Sequence, residues 1–235
     1  MNLRSPNLLV GIILAVALAG VGFFLLSSDD KSQKTLPSNE LSTPSNSVGF
    51  VHSGEALRLE ILEGSSVRYL VGEQLARRDL PNDAIGVTSD ITGDIFLGKS
   101  GKIDKNNSKI IVKLDSLESD DSRRDNYLKT RTLIGSAQFP EAVFVPEEIS
   151  GLDWPIKEGG KLIFEMAGQM TIRGITKPMT WTVEANLEKG LITGHADTKI
   201  YFSDYGIPKP TLLFILSMDD EIRLEADLLI RLNEK

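Results

Sequence analysis

Three groups of side chains have types and spacings that chemistry could use. Ser203-Asp204 and the distant His195 supply the residue types of a serine triad, in which an imidazole takes the hydroxyl proton. The acidic run Asp115, Glu118, Asp120, Asp121 and Asp125 offers oxygens of the kind that hold calcium. Asn106-Asn107-Ser108 fits the acceptor sequence for N-glycosylation, which matters only in a host that glycosylates. The first two are not completed by their surroundings. No Gly-x-Ser-x-Gly elbow accompanies the serine. With Asp115 as the first position of a calcium loop, the sixth and twelfth hold Asp120 and Asn126, where Gly and Glu are needed. The run abuts Arg123 and Arg124 and reads as a solvated turn.

Composition narrows the chemistry further. The 235 residues include no cysteine, which excludes thiol nucleophiles, disulfides, iron–sulfur clusters and cysteine-ligated zinc. His52 and His195 are the only histidines, too few for a histidine-rich metal site. A net charge of −7 without a basic block argues against nucleic acid, whose binding rests on clustered Lys and Arg. Composition leaves a globular domain without nucleic-acid or redox chemistry and without the ligands of a histidine-rich metal site.

The elements that would position a binding site alternate with period two. Ile222, Leu224, Ala226 and Leu228 take every second position between Glu221, Arg223, Glu225 and Asp227, the mark of a half-buried strand. Leu162, Phe164, Met166, Gly168, Met170 and Ile172 repeat the pattern, and Met179, Trp181, Val183 and Ala185 follow after a turn with Gly174 and Pro178. Further strands are predicted at Val67-Tyr69-Val71, Ile85-Val87 running on to Ile91, Gly93 and Ile95, Ile110-Val112-Leu114, around Val143, and from Ile192 to Phe202. A weaker opening strand is predicted at Leu57-Leu59-Ile61. One short helix interrupts them, capped by Asp121-Ser122 and running to Leu128. About eight strands at short spacing predict an all-β, antiparallel, up-and-down barrel, since the runs at 83–98, 160–173 and 220–233 outreach a small sandwich.

Whether such a barrel is filled or hollow decides its function. The predicted inner face carries small residues, Gly93, Gly168, Ala185, Gly194 and Ala196, which either leave room or mark places where the sheet bends. Beside them stand flexible Met166 and Met170 and flat Phe164 and Trp181, the lining expected of an apolar ligand cavity.

The amino terminus has a separate reading. Residues 8–26 carry no charge and would make a helix of about 28 Å, near the thickness of a bilayer core. With Arg4 before it and Asp29-Asp30 after it, the segment predicts a signal-anchor with residues 1–7 in the cytoplasm. The chain then sits in the cell membrane as a single-pass protein, its C-terminal domain in the periplasm or at the cell exterior. Cleavage after Ala15-Val16-Ala17 or Ala17-Leu18-Ala19 is the alternative and would make the protein secreted. Residues 27–54, rich in Ser, Thr, Asn and Pro, read as a flexible linker, leaving 55–235 as the barrel domain.

Asp115-Ser116-Leu117, Arg124 to Leu128, Phe139-Pro140-Glu141-Ala142-Val143-Phe144, Gly168 to Met179, Ser203-Asp204-Tyr205-Gly206-Ile207 and Asp219-Asp220-Glu221-Ile222 occur in an order that resembles the bacterial YceI-like family. The resemblance spans roughly 55–235. Lys99 to Asn107, Ile207-Pro208-Lys209-Pro210 and the apparent anchor depart from the pattern. It implies a lipocalin-like barrel whose tunnel takes up a polyisoprenoid or other long-chain amphiphilic lipid, without cofactor chemistry. On that reading Phe164, Met166, Met170, Trp181, Val183, Ala185, Leu128 and Leu224 line the cavity, and Phe139 and Phe144 either gate its mouth or plug the core. Arg124, Asp125 and Tyr127 are candidates for the ligand head group, or else Arg124 and Asp125 merely hold the helix to a neighbouring loop. A structural or adhesion barrel filled by its own side chains is the competing function.

Overall fold

The computed structural model describes residues 56–76, 80–130, 134–211, 213 and 215–234. The predicted cytoplasmic end, signal-anchor and linker (1–7, 8–26 and 27–54) and His52 lie outside the described residues. Among the described residues no helix is long and apolar enough to cross a membrane.

Twelve antiparallel strands form one sheet, yet they occupy only eight places around a ring. β1 (Leu57–Ile61) and β2 (Ser66–Leu75) are successive parts of one long strand, because both pair along β12 (Glu221–Glu234): Leu57 to Ile61 opposite Glu234 to Ile230, then Ser66 to Leu70 opposite Asp227 to Arg223. β3 (Asn82–Thr88) and β4 (Ile91–Leu97) continue one another in the same way, as do β5 (Lys109–Lys113) and the two-residue β6 (Glu118–Ser119). β7 (Glu141–Ser150), β8 (Lys161–Ile172), β9 (Ile175–Glu188) and β10 (Leu191–Tyr201) follow as a meander, and the β1–β12 pairing closes the ring. β11 (Ile215–Met218) runs ahead of β12 along the same edge of β2. This is the up-and-down eight-strand barrel that the alternation predicted, with closure removing exposed sheet edges.

The helix α1 (Ser122–Lys129) stands where expected. Asp121 is its N-cap, accepting a hydrogen bond from the Arg123 backbone N–H. α1 follows β6 and is tied to it through Asp125 and Ser119, at the end of the barrel where β7 begins. This end of the barrel, also reached by the β2–β3, β8–β9 and β10–β12 connections, is its mouth. The other end is closed by the β4–β5 and β7–β8 loops, which are joined where Trp154 Nε1 donates to the Lys99 carbonyl at 2.8 Å. Leu57, Leu97, Ile156 and Leu187 are almost wholly buried there.

One predicted facing is corrected. Ile85 and Val87 point outward and are exposed, whereas Ala84 and Thr88 are buried. The run 83–98 is not a single strand. It breaks at Ser89-Asp90, where the Asp90 amide donates to Thr88 Oγ1 and the Lys113 amide to the Asp90 carbonyl. That break moves the inward set from even positions (84, 86, 88) to odd ones (91, 95, 97), so Ile91 and Ile95 face in as expected while Ile85 and Val87 do not.

Candidate functional site

Inside the ring lies an apolar cavity of about 560 Å³, within the range of roughly 300–1,000 Å³ typical of small-molecule sites. Its wall is built by the period-two rule: alternate residues of β8, β9, β10 and β12 project inward and meet across the void. Phe164, Met166, Met170, Trp181, Val183, Ala185, Phe144 and Leu224 all line it, as does Leu128 from α1. Phe144 and Trp181 meet edge to face with ring centroids 6.3 Å apart. Phe164, Trp181, Leu224 and Leu228 are inward-facing yet only partly buried, because they border empty space and not another packed side chain.

Small residues account for the hollow on one wall. Gly194 stands opposite Ala185, and Ala196 between Val183 and Ala226, and all five line the cavity. Gly93 and Gly168 serve the other purpose. A Cβ on Gly93 would sit 2.1 Å from the Lys109 carbonyl oxygen, and one on Gly168 2.3 Å from that of Val145. Gly168 also lies beside the bulge between Pro146 and Glu148, so it admits the close approach of a bent neighbouring strand.

The mouth is polar in a localised way. Arg124 projects from α1 and donates through Nη1 to Asp120 at 2.6 Å and through Nη2 to Glu73 at 3.0 Å. Glu73 is only 4% exposed, lines the cavity, and also accepts from Asn82 Nδ2 at 3.2 Å. Burial works to lower the Arg124 pKa, but the hydrogen bond to Asp120 and the charges of Glu73 and Asp120 outweigh it and leave it raised. Tyr69 lines the same region with its hydroxyl buried and without a hydrogen-bond partner. Its pKa is pushed up to about 12, by burial first and against the opposing pull of Arg124. Glu73 and Tyr69 were legible in principle, since the alternation Val67-Tyr69-Val71 continues to an acid at an inward position.

The remaining sequence-based assignments separate here. Arg124 and Tyr127 are at the mouth and border the cavity. Asp125 is not among the lining residues: its Oδ1 accepts from the Ser119 amide at 2.9 Å and hydroxyl at 2.6 Å, tying α1 to β6. Phe139 is not among them either. It packs against the β8–β9 turn, where a Cβ on Gly174 would meet its ring at 3.4 Å. Ser203 and Asp204 lie in a short 3-10 turn whose Asp204 accepts from the Tyr201 amide. His195 instead lies 2.7 Å from Asp227 on the outer face of the sheet, so the triad types are not brought together. Of the acidic run, Asp120 pairs with Arg124, Asp121 caps α1 and Asp125 holds Ser119. Among the described residues no group of three or more His, Asp or Glu side chains is placed to hold a metal ion.

Comparison with known proteins agrees with this architecture. A family model for the YceI-like domain matches residues 72–230, more than half of the chain. The chain belongs to the YceI-like family. Among curated relatives, a UPF0312 protein of Pseudomonas putida is 28% identical over 131 residues, covering 53% of this chain and 64% of that protein. Protein YceI of Salmonella arizonae is 30% identical over 103 residues, covering 43% of this chain and 48% of that protein. The chain thus spans from 38% to 64% of the length of such relatives. Among solved structures, a polyisoprenoid binding domain from Saccharophagus degradans implicated in plant cell wall breakdown superposes with a TM-score of 0.57 at 12% identity, over 75% of this chain and 98% of that one. BcnA of Burkholderia cenocepacia gives 0.53 at 15% identity, over 72% and 98%. These likenesses establish a shared YceI-like fold.

Proposed function

We propose that this YceI-like barrel sequesters or carries a polyisoprenoid or other long-chain amphiphilic lipid, the polyisoprenoid class being favoured by its structural neighbour from Saccharophagus degradans. The reading places it outside the cytoplasm and tethered through residues 8–26, or secreted if that segment is removed. The single observation that carries it is an apolar hollow of about 560 Å³ with Glu73, Tyr69, Arg124 and Tyr127 gathered at its mouth, the shape of a site for a tail with a head group.

Magnitudes favour an occupant. A dry void of this size that stayed empty would cost on the order of 10 kcal/mol, an expense that a purely structural barrel has no reason to carry. Ten buried CH₂ groups offer about 8 kcal/mol gross. Immobilisation and ordering reduce that figure, and micromolar retention needs about 8 kcal/mol net. The ligand therefore has a longer tail, a head group held at the mouth, or both. Arg124, Tyr127, Tyr69 and Glu73 are the groups in reach of such a head, and the cavity side chains act by shape and exclusion of water. No residue is assigned a catalytic role.

The test is native mass spectrometry of the full chain purified from membranes, followed by organic extraction. A lipid released in near one-to-one ratio supports the carrier reading. Repeated recovery of an empty protein that also fails to take up added long-chain isoprenoid would leave a structural or adhesion module.

A further inference from the structure

The most exposed large apolar side chains among the described residues are Leu213, Leu80 and Leu216, at 104%, 76% and 65%. All three stand at the mouth end of the barrel. β11, β2 and β3 project there as a three-stranded flap: Ile215 pairs with Leu75, Met218 with Glu73, and Glu73 in turn with Asn82. Leu213 lies just ahead of β11, at the tip of this flap. Leu80 lies in the β2–β3 connection at the same tip. Leu216 is thrown outward by the irregularity between Ile215 and Ser217.

We propose that this leucine-tipped flap inserts into the surface of a lipid bilayer and joins the cavity mouth to the membrane from which the ligand is drawn. The inference rests on the carrier reading and names the surface that such a carrier engages. Two observations select a bilayer over a protein partner. Leu213 and Leu80 stand exposed at the end of the flap with Leu216 exposed on β11 behind them, a form suited to entering a fluid interface. The apolar surface is continuous with the cavity, because Leu75, Pro210 and Ile215 border both the flap and the hollow, so a tail can pass inward without crossing water. The loops at the closed end carry none of the three leucines.

The absence of cysteine makes the test direct, since any introduced thiol is unique. Full-chain Leu213→Cys and, as a control in the closed-end loop, Lys105→Cys are labelled with an environment-sensitive fluorophore. Each is reconstituted with phosphatidylcholine vesicles containing a nitroxide-labelled lipid. The proposal expects strong quenching by the lipid nitroxide and a blue shift at position 213, with neither at position 105. Quenching at 213 by aqueous iodide equal to that at 105 would overturn it. Shielding from both quenchers, with a concentration-dependent doubling of mass, would also overturn it and assign the flap to a second copy.

A second measurement keeps this separate from the carrier reading. The full-chain Leu80→Ser/Leu213→Ser/Leu216→Ser variant is compared with the wild type for uptake of a fluorescent long-chain isoprenoid from vesicles and from detergent micelles. The expected result is uptake from vesicles slowed at least tenfold with unchanged equilibrium binding from micelles. Equal vesicle rates would refute the flap and leave the carrier intact. No binding by either protein from micelles would refute the carrier, and the nitroxide quenching alone would then decide the flap.

Discussion

Replacing Ala196 by Phe tests the hollow directly. Ala196 is buried on the inner face of β10, between Val183 and Ala226, and borders the cavity with both. The phenyl ring added to the Ala196 Cβ takes the room of about six ligand carbons. At about 0.8 kcal/mol per carbon, that removes about 5 kcal/mol of burial, or three to four orders of magnitude in affinity for a long-chain lipid. The cost to the empty protein should be small. Overpacking a filled core costs about 1–3 kcal/mol, but here the ring enters space that had no atoms and gains contacts with Phe164, Trp181 and Leu224. Lipid titration read by Trp181 fluorescence and native mass spectrometry, with urea unfolding of the ligand-free protein in parallel, measures both quantities. Lipid affinity within threefold of wild type would refute the assigned site. A stability loss above about 3 kcal/mol would refute the hollow itself, since only a packed wall resists the ring so strongly.

Arg124→Met should destabilise the protein by about 1–3 kcal/mol in urea melts, because the nearly buried Glu73 keeps only Asn82 as a partner, and Glu73→Gln in the same chain should restore part of the loss. Gly168→Ala should lower stability by about 1–3 kcal/mol, read as a fall in thermal midpoint, since its Cβ would press on backbone atoms of Val145 and Pro146 that cannot swing away. The N-cap of α1 should be lost only in strong acid. Hydrogen bonds from the Arg123 side chain and amide push the Asp121 pKa down to about 2, so its capping is complete above the ordinary carboxylate range and disappears as pH falls through about 2. Hydrogen exchange at the Arg123 amide should show that step, and Asp121→Asn should abolish it.

Periodicity along the chain determined much of this protein. The inward sets of β8, β9 and β12, the opening strand Leu57–Ile61 and the capped helix at Ser122 are local properties, written in alternation and in one Asp preceding a helix. From these the barrel and most of its lining were legible, including Met166, Trp181 and Ala185. The alternation fails where one irregular step inverts it. Ile85 and Val87 match their neighbours in hydrophobicity but lie before the break at Ser89-Asp90, two turn-type residues whose effect is hidden by apolar residues at odd positions on both sides. For Asp125 and Phe139 the sequence left two roles open, because a polar or aromatic residue near a mouth can equally brace the loops that build it.

Tertiary structure alone decided what the small residues do. Gly168 and Gly194 look alike in a strand. Gly168 lets backbone approach backbone beside Val145, whereas Gly194 borders the cavity and a Cβ there would meet Ala185 at 3.2 Å, a difference set by the neighbouring strand's bulge and by what stands across the barrel. It also brought Glu73, Tyr69 and Arg124 from two distant parts of the chain to one end, and carried Leu80 and Leu213 to the tip of one flap. A side chain's direction is a property of a few consecutive residues, whereas a void, and the rim around it, exists only once eight strands have closed around a common axis.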